Sequence, residues 1–125
     1  MVDANYIYLQ KGSEHIMRVA VACDGNQVSP HFGRCERFLI ADIDGGQVTV
    51  RQWLAIPGHQ PGLLPQLMAE QEVDCVLAGG AGPRAIGMFT EAGIEFIAGV
   101  SGDAAEVLAA LAEGTLEPGK SSCEH

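Results

Sequence analysis

From residue 75 onward the chain alternates short apolar runs with amphipathic segments that end in glycine, and this rhythm limits the fold more than any other feature. Cys75-Val76-Leu77-Ala78 reads as a strand, Gly79 to Gly82 as a turn, 83–92 as a helix, Ile94 to Ala98 as a second strand and 103–113 as another helix. Apolar runs this short, joined by helices, are expected to be parallel strands buried on both faces. Ala92-Gly93 and Glu113-Gly114 end the two helices with a residue suited to left-handed geometry. A further helix at about 63–71 precedes the unit, with Leu63, Leu64, Leu67 and Met68 on one face.

The first half of the chain reads differently. Arg18-Val19-Ala20-Val21-Ala22-Cys23 marks strand one, about 17–23; strand two follows at about 37–43 and strand three at about 47–55, with Asp44-Gly45-Gly46 between them as a hairpin turn. Together the halves predict an α/β fold with a mixed five-stranded sheet, strand two antiparallel to its neighbours, and three helices. Trp53, on strand three, is assigned to the core. The 125 residues fit one domain, placed at 17–116, with an N-terminal extension at 1–16 and a flexible C-terminal tail at 117–125. Neither terminal segment has an apolar face that would add much stability.

Charge and cysteine usage narrow the function. Only 7 Lys and Arg face 16 Asp and Glu, a net charge of -9 that argues against neutralising a phosphate backbone, so no nucleic-acid partner is expected. No apolar run approaches the ~18–20 residues of a membrane span, and the N-terminus lacks a secretory pattern, so a cytoplasmic protein without a membrane partner is expected. The four cysteines make no C-x-x-C pair and no disulfide framework. Cys23 and Cys75 lie in strand-like runs as small buried hydrophobes, whereas Cys35 and Cys123 stand in polar contexts that suit a thiolate ligand.

Chemistry concentrates in Ser29-Pro30-His31-Phe32-Gly33-Arg34-Cys35, which places an imidazole, a guanidinium and a thiol within five residues on a loop leaving strand one. Pro30 restricts Ser29 to extended geometry and Gly33 permits a turn, so His31 and Arg34 are held on a shaped loop. The plainer alternative is a surface or half-buried histidine packed beside a phenylalanine. A second candidate is Gly79-Gly80-Ala81-Gly82-Pro83-Arg84, a strand-to-helix turn whose N–H groups and dipole favour an anion. Gly80-x-Gly82-x-x-Ala85 matches a dinucleotide fingerprint, but no acidic residue is placed to hold a ribose. His59, between Pro57 and Pro61, is an exposed loop histidine or a groove residue. Cys123-x-His125 pairs a soft thiolate with an imidazole, too few ligands to close a metal site alone.

In order and spacing these pieces resemble the dinitrogenase iron-molybdenum cofactor biosynthesis family, from about Met17 to Leu116. The resemblance is carried by the opening strand, by Ser29 to Arg34, by Phe38-Leu39-Ile40 with the Asp42 to Gly46 turn, by Pro61-Gly62-Leu63-Leu64-Pro65 and Val73-Asp74, and by Ala78 to Ala85 and Ala92-Gly93-Ile94-Glu95. It implies a ribonuclease H-like three-layer fold. It also implies a carrier or scaffold, not an enzyme, for an anionic iron-sulfur or iron-molybdenum type cluster, serving cofactor-assembly or recipient proteins in pathways such as nitrogen fixation.

His31 is then the expected principal metal ligand, with Arg34, Gly80, Gly82, Arg84 and His59 around the cluster. Cys35, Cys123 and His125 are further metal candidates outside the family pattern. Two alternatives stay open. One is a metal-dependent nuclease with Asp24 and Asp42 or Asp44 holding Mg²⁺; the other is a thiol redox protein built on Cys35.

Overall fold

Residues 16–56 and 62–117 are described in a computed structural model of the chain. In order the elements are β1 (Met17–Asp24), β2 (Gln27–Val28), a 3-10 turn at Phe32–Arg34, β3 (Arg37–Asp44), β4 (Gln47–Ala55), α1 (Leu63–Glu70), β5 (Cys75–Leu77), α2 (Pro83–Glu91), β6 (Glu95–Ile97) and α3 (Ala104–Glu113). β1 is central because both of its faces are apolar: Met17, Val19, Val21 and Cys23 pack to one side, Ala20 and Ala22 to the other. Alternation along a strand sends successive side chains to opposite faces, so such a strand needs cover on both.

That cover comes from helices on each side of a mixed sheet ordered β4-β3-β1-β5-β6. On one face Val107, Leu108 and Leu111 of α3 meet Val19, Val21, Leu39 and Ile97. On the other, Leu64 and Met68 of α1 and Phe89 of α2 meet Ala20, Ala22, Ile40, Val76 and Phe96. The four phenylalanines of the chain, Phe32, Phe38, Phe89 and Phe96, all lie on this second face, where small residues at Ala20, Ala22 and Ala78 leave space for rings.

Strand two of the sequence reading is β3, antiparallel to both β1 and β4. Gly45 and Gly46 both have positive φ, 58° and 86°, as a two-residue hairpin with the sheet's twist requires. β1 and β5 run parallel with Val19 opposite Cys75, and β5 pairs in parallel with β6. The loops leaving β1, β5 and β6 therefore emerge at one end of the sheet. β2, a two-residue strand folded back on the end of β1, is an addition to the expected five.

Trp53 requires a correction. It is 38% exposed, because β4 is an edge strand from which only Val48 and Leu54 join the two apolar clusters. Its ring is covered instead by the Arg37 guanidinium, 3.8 Å from the ring centroid, which also donates from Nη2 to the Gly25 carbonyl at 3.2 Å. Residues 1–15, 57–61 and 118–125 lie outside the described residues, and with them the expectations for the terminal segments.

Candidate functional site

The two motif-bearing loops meet. His31 and Gly80 form a parallel bridge, in which the Phe32 N–H donates to the Gly80 carbonyl and the Gly80 N–H to the Pro30 carbonyl, both at 2.8 Å. Glycine is required where the chains cross. A Cβ on Gly79 would strike the Ser29 carbonyl oxygen and stand 2.9 Å from the Pro30 Cα, and one on Gly80 would stand 2.8 Å from the Pro30 oxygen. Between the loops lies a groove of about 470 Å³ lined by His31, Phe32, Gly33, Arg34, Gly80, Ala81 and Gly82.

The period of the 3-10 turn sorts the motif. With about three residues per turn, positions three apart share a face. His31 and Arg34 are exposed on one face, while Phe32 and Cys35 turn inward. Phe32 is buried against Phe96, Phe89 and Phe38, at centroid distances of 5.1, 5.6 and 6.1 Å. Cys35 thus does not occupy the polar context expected from its sequence neighbours: it is 1% exposed within the aromatic cluster.

Two polar residues to which the sequence reading gave no supporting role, Ser29 at the head of the motif and Asp24 at the end of β1, hold the His31 loop. Ser29 is fully buried, with Oγ 2.9 Å from Asp24 Oδ2 and 3.0 Å from the His31 carbonyl, and it accepts the His31 N–H at 3.2 Å. Asp24 Oδ1 accepts the Glu36 N–H at 3.1 Å, so one carboxylate ties together both ends of the loop. The signal available in sequence was positional: an acid at a strand end and a serine fixed before proline.

Charge around the groove opposes the charge of the whole chain. Among the described lining residues none is acidic, and among the described residues no carboxylate forms an ion pair with Arg34 or Arg84. Arg84 stands in the first turn of α2, just outside the lining, and Gly82 is the N-cap of that helix with no side-chain cap bond. The first N–H groups of a helix have no intrahelical acceptor, which adds to the preference for an anion here. Among the described residues no three His, Cys, Asp or Glu side chains gather as a metal-holding group. The structure thus brings together His31, Arg34, Gly80 and Gly82, while His59, Cys123 and His125 lie outside the described residues.

Both alternative chemistries lose their constellation. Asp42 pairs across from Arg18, six residues along β1 from Asp24, about 20 Å at ~3.3 Å per residue. Its carboxylate is bound to the Arg18 Nε at 2.8 Å, and Asp44 lies at the same far end of the sheet, so the expected Mg²⁺-holding pair does not form. Burial, the largest cause in each case, pushes the Cys23 thiol up to about 11 and the Cys35 thiol up to about 12, and it raises Cys75 as well. A thiol that keeps its proton is a poor nucleophile and a poor metal ligand.

The same burial predicts an alkaline weakness. Unfolded thiols ionise near 9.0 while the folded ones hold their protons, so this stability is present below about pH 9 and is lost as pH rises toward 11–12. Urea midpoints at pH 8 and pH 10.5 should show the decline. Mapping of a thiol reagent at pH 8 should find Cys23, Cys35 and Cys75 unmodified until the chain is denatured. Reaction of Cys35 in the native protein would contradict its burial.

The chain is similar to known proteins over most of its length. Residues 15–114 match the family model described as dinitrogenase iron-molybdenum cofactor. Over 107 residues the chain is 30% identical to an uncharacterized protein of Methanocaldococcus jannaschii, covering 82% of this chain and 91% of that one. The crystal structure of PH0822 superposes with a TM-score of 0.79 at 34% identity, over 87% of this chain and 100% of that one. The apo form of the orange protein from Desulfovibrio gigas has the same fold, with a TM-score of 0.65 at 22% identity over 84% of this chain and 94% of that one.

Proposed function

The chain belongs to the dinitrogenase iron-molybdenum cofactor family, and from that premise we propose that it carries an anionic iron-sulfur or molybdenum-containing metal–sulfur cluster during metallocofactor assembly. The cluster is cargo, received from and passed to assembly or recipient proteins, and the protein acts in the cytoplasm as a carrier without catalysing the chemistry. A ribonuclease H-like arrangement, supported by the β4-β3-β1-β5-β6 order with β3 antiparallel, serves as the scaffold.

The observation that carries this reading is the composition of the groove. In a chain of net charge -9, the space between the two loops is lined by an imidazole, a guanidinium and glycine backbone, with no carboxylate among the described lining residues. A metal–sulfide anion needs one or two N or S donors for its metal and hydrogen-bond donors for its sulfides. His31 supplies the metal ligand. Arg34, with Arg84 and the Gly80–Gly82 turn nearby, balances charge without bonding to metal. A second ligand from His59 or from Cys123 and His125, which lie outside the described residues, would complete the coordination.

Protein purified without oxygen from its native cell should contain iron or molybdenum together with sulfide and absorb visible light. Replacing His31 by Ala should remove most of the bound metal and shift the spectrum while stability changes by less than about 0.5 kcal/mol, because an exposed side chain contributes little to the core. Arg34→Ala should weaken retention and flatten its dependence on salt, one screened contact having been lost. Full metal occupancy with an unchanged spectrum in the His31 variant would reject the ligand assignment and turn attention to His59 and the Cys123/His125 pair.

A further inference from the structure

The glycines that line the groove divide into two kinds. Gly80 has no side chain for a reason internal to the protein, since a Cβ there would press on the Pro30 carbonyl oxygen. Gly33 and Gly82 have no such reason: neither has a left-handed backbone, and a Cβ built on either meets nothing within 4 Å beyond its own chain neighbours. Glycine at a position that another residue would tolerate costs stability, because it surrenders more conformational freedom on folding. At Gly82 a serine would in addition supply the capping bond that α2 lacks. The two stand on opposite walls of one groove, Gly33 on the 3-10 turn and Gly82 at the start of α2.

Resting on the cluster-carrier reading, we propose that Gly33 and Gly82 determine specificity by size. They let the cargo press on the backbone of both walls at once, so that the groove selects a polynuclear cluster that fills it over a mononuclear thiometallate anion. Volume decides between the two cargoes. A single tetrahedral anion in about 470 Å³ leaves room for a methyl group on each wall and gives no reason for glycine at either. A cluster wide enough to span the groove would collide with both methyl groups. Its sulfides would also come close to the Arg84 and Ala85 N–H groups, which precede the first intrahelical bond from Ile86 and which a side chain at Gly82 would screen.

The test uses the whole chain under anaerobic conditions and two probes, tetrathiomolybdate and an iron–sulfide cluster assembled on the protein from ferrous iron and sulfide. Gly33→Ala and Gly82→Ser are compared with wild type and with Gly87→Ala, a glycine of α2 outside the groove lining whose added Cβ also meets no atom. All three variants should melt no lower than wild type. Iron–sulfide retention should fall about tenfold in the two groove variants and hold in Gly87→Ala, with tetrathiomolybdate affinity within about twofold throughout. Iron–sulfide retention equal to wild type in both groove variants, or equal weakening of both probes, overturns size selection and leaves the carrier reading standing. So does a wild type that binds tetrathiomolybdate but no iron–sulfide. A wild type that takes up neither probe overturns the carrier reading, and this inference with it.

Discussion

Phe32→Ala is expected to be among the most destabilising single changes in the protein, costing about 3–5 kcal/mol, although its neighbours His31 and Gly33 are exposed. The ring is 4% exposed and sits among three others, meeting Phe89 and Phe96 edge-on at interplanar angles of 79° and 83°. Such contacts add to the area buried, and removing the central ring leaves a cavity that Phe38, Phe89 and Phe96 cannot close without leaving their own positions. At about 4–8 °C per kcal/mol for a domain near this size, the melting temperature should fall by roughly 15 °C or more. Phe32→Leu should recover much of the loss. A fall equivalent to less than about 1 kcal/mol would mean that the cluster is not the anchor of the loop.

The consequence reaches the groove, because Phe32 is the buried peg from which His31 and Arg34 are presented. A domain of ordinary stability, about 5–15 kcal/mol, would survive the substitution in folded form but with a loosened 3-10 turn. Metal retention should therefore fall in Phe32→Ala together with stability, whereas His31→Ala should lose retention alone. Adjacent residues in the sequence thus separate the proposed ligand from its support.

What was legible in the sequence was local. Asp44-Gly45-Gly46 and Gly93 announce their turns because the left-handed backbone they adopt has a strong residue preference, with φ of 58°, 86° and 81° at the three glycines. The strands and helices from Cys75 to Glu113 announce themselves by period, and their observed bounds fall within about a residue or two of the expected ones, the usual uncertainty of element ends. The antiparallel placement of β3 followed from the hairpin, and the parallel placement of β5 from the crossover through a helix.

What was not legible depended on partners distant in sequence. Gln27 and Val28 look like loop, and become a strand because the turn at Gly25 brings them back onto Cys23 and Asp24 while the Val28 N–H reaches the Gly102 carbonyl at 2.9 Å. Trp53 looks like core, and is half covered because β4 ended up at an edge. Cys35 sits between Arg34 and Glu36 and looks polar, yet the 3-10 turn carries it inward with Phe32. Ser29, a polar residue before proline, gives no sequence sign of burial, and is buried because Asp24 and the His31 backbone satisfy its hydroxyl. For the site, sequence supplied the two loops and their chemical character, and the family resemblance already placed His31, Arg34, Gly80 and Gly82 around one ligand, in keeping with the His31–Gly80 bridge. The contact between the two loops required the register of β1 with β5.

That contact is the subject of the remaining large effect: Gly79→Ala should cost about 2–5 kcal/mol, through two losses that cannot be separated. The added Cβ would overlap the Ser29 carbonyl oxygen and crowd the Pro30 Cα, both backbone atoms that no rotamer change can move aside. Gly79 itself is held from the other side, its carbonyl accepting the Gly99 N–H at 3.0 Å, so it cannot retreat without disturbing the β6 end of the sheet. The Ser29–Pro30 segment must then lift. Lifting it breaks the bonds exchanged by Pro30, Phe32 and Gly80, at about 0.5–1.5 kcal/mol each, in addition to the cost of overpacking. Hydrogen exchange at the Phe32 and Gly80 amides should accelerate by at least about tenfold relative to the amides of β3, which lie outside the loop contact. Urea denaturation gives the global cost. If both amides remain as protected as in wild type and stability falls by less than about 0.5 kcal/mol, the two loops are not coupled through this crossing, and the groove would have to be held by the aromatic cluster alone.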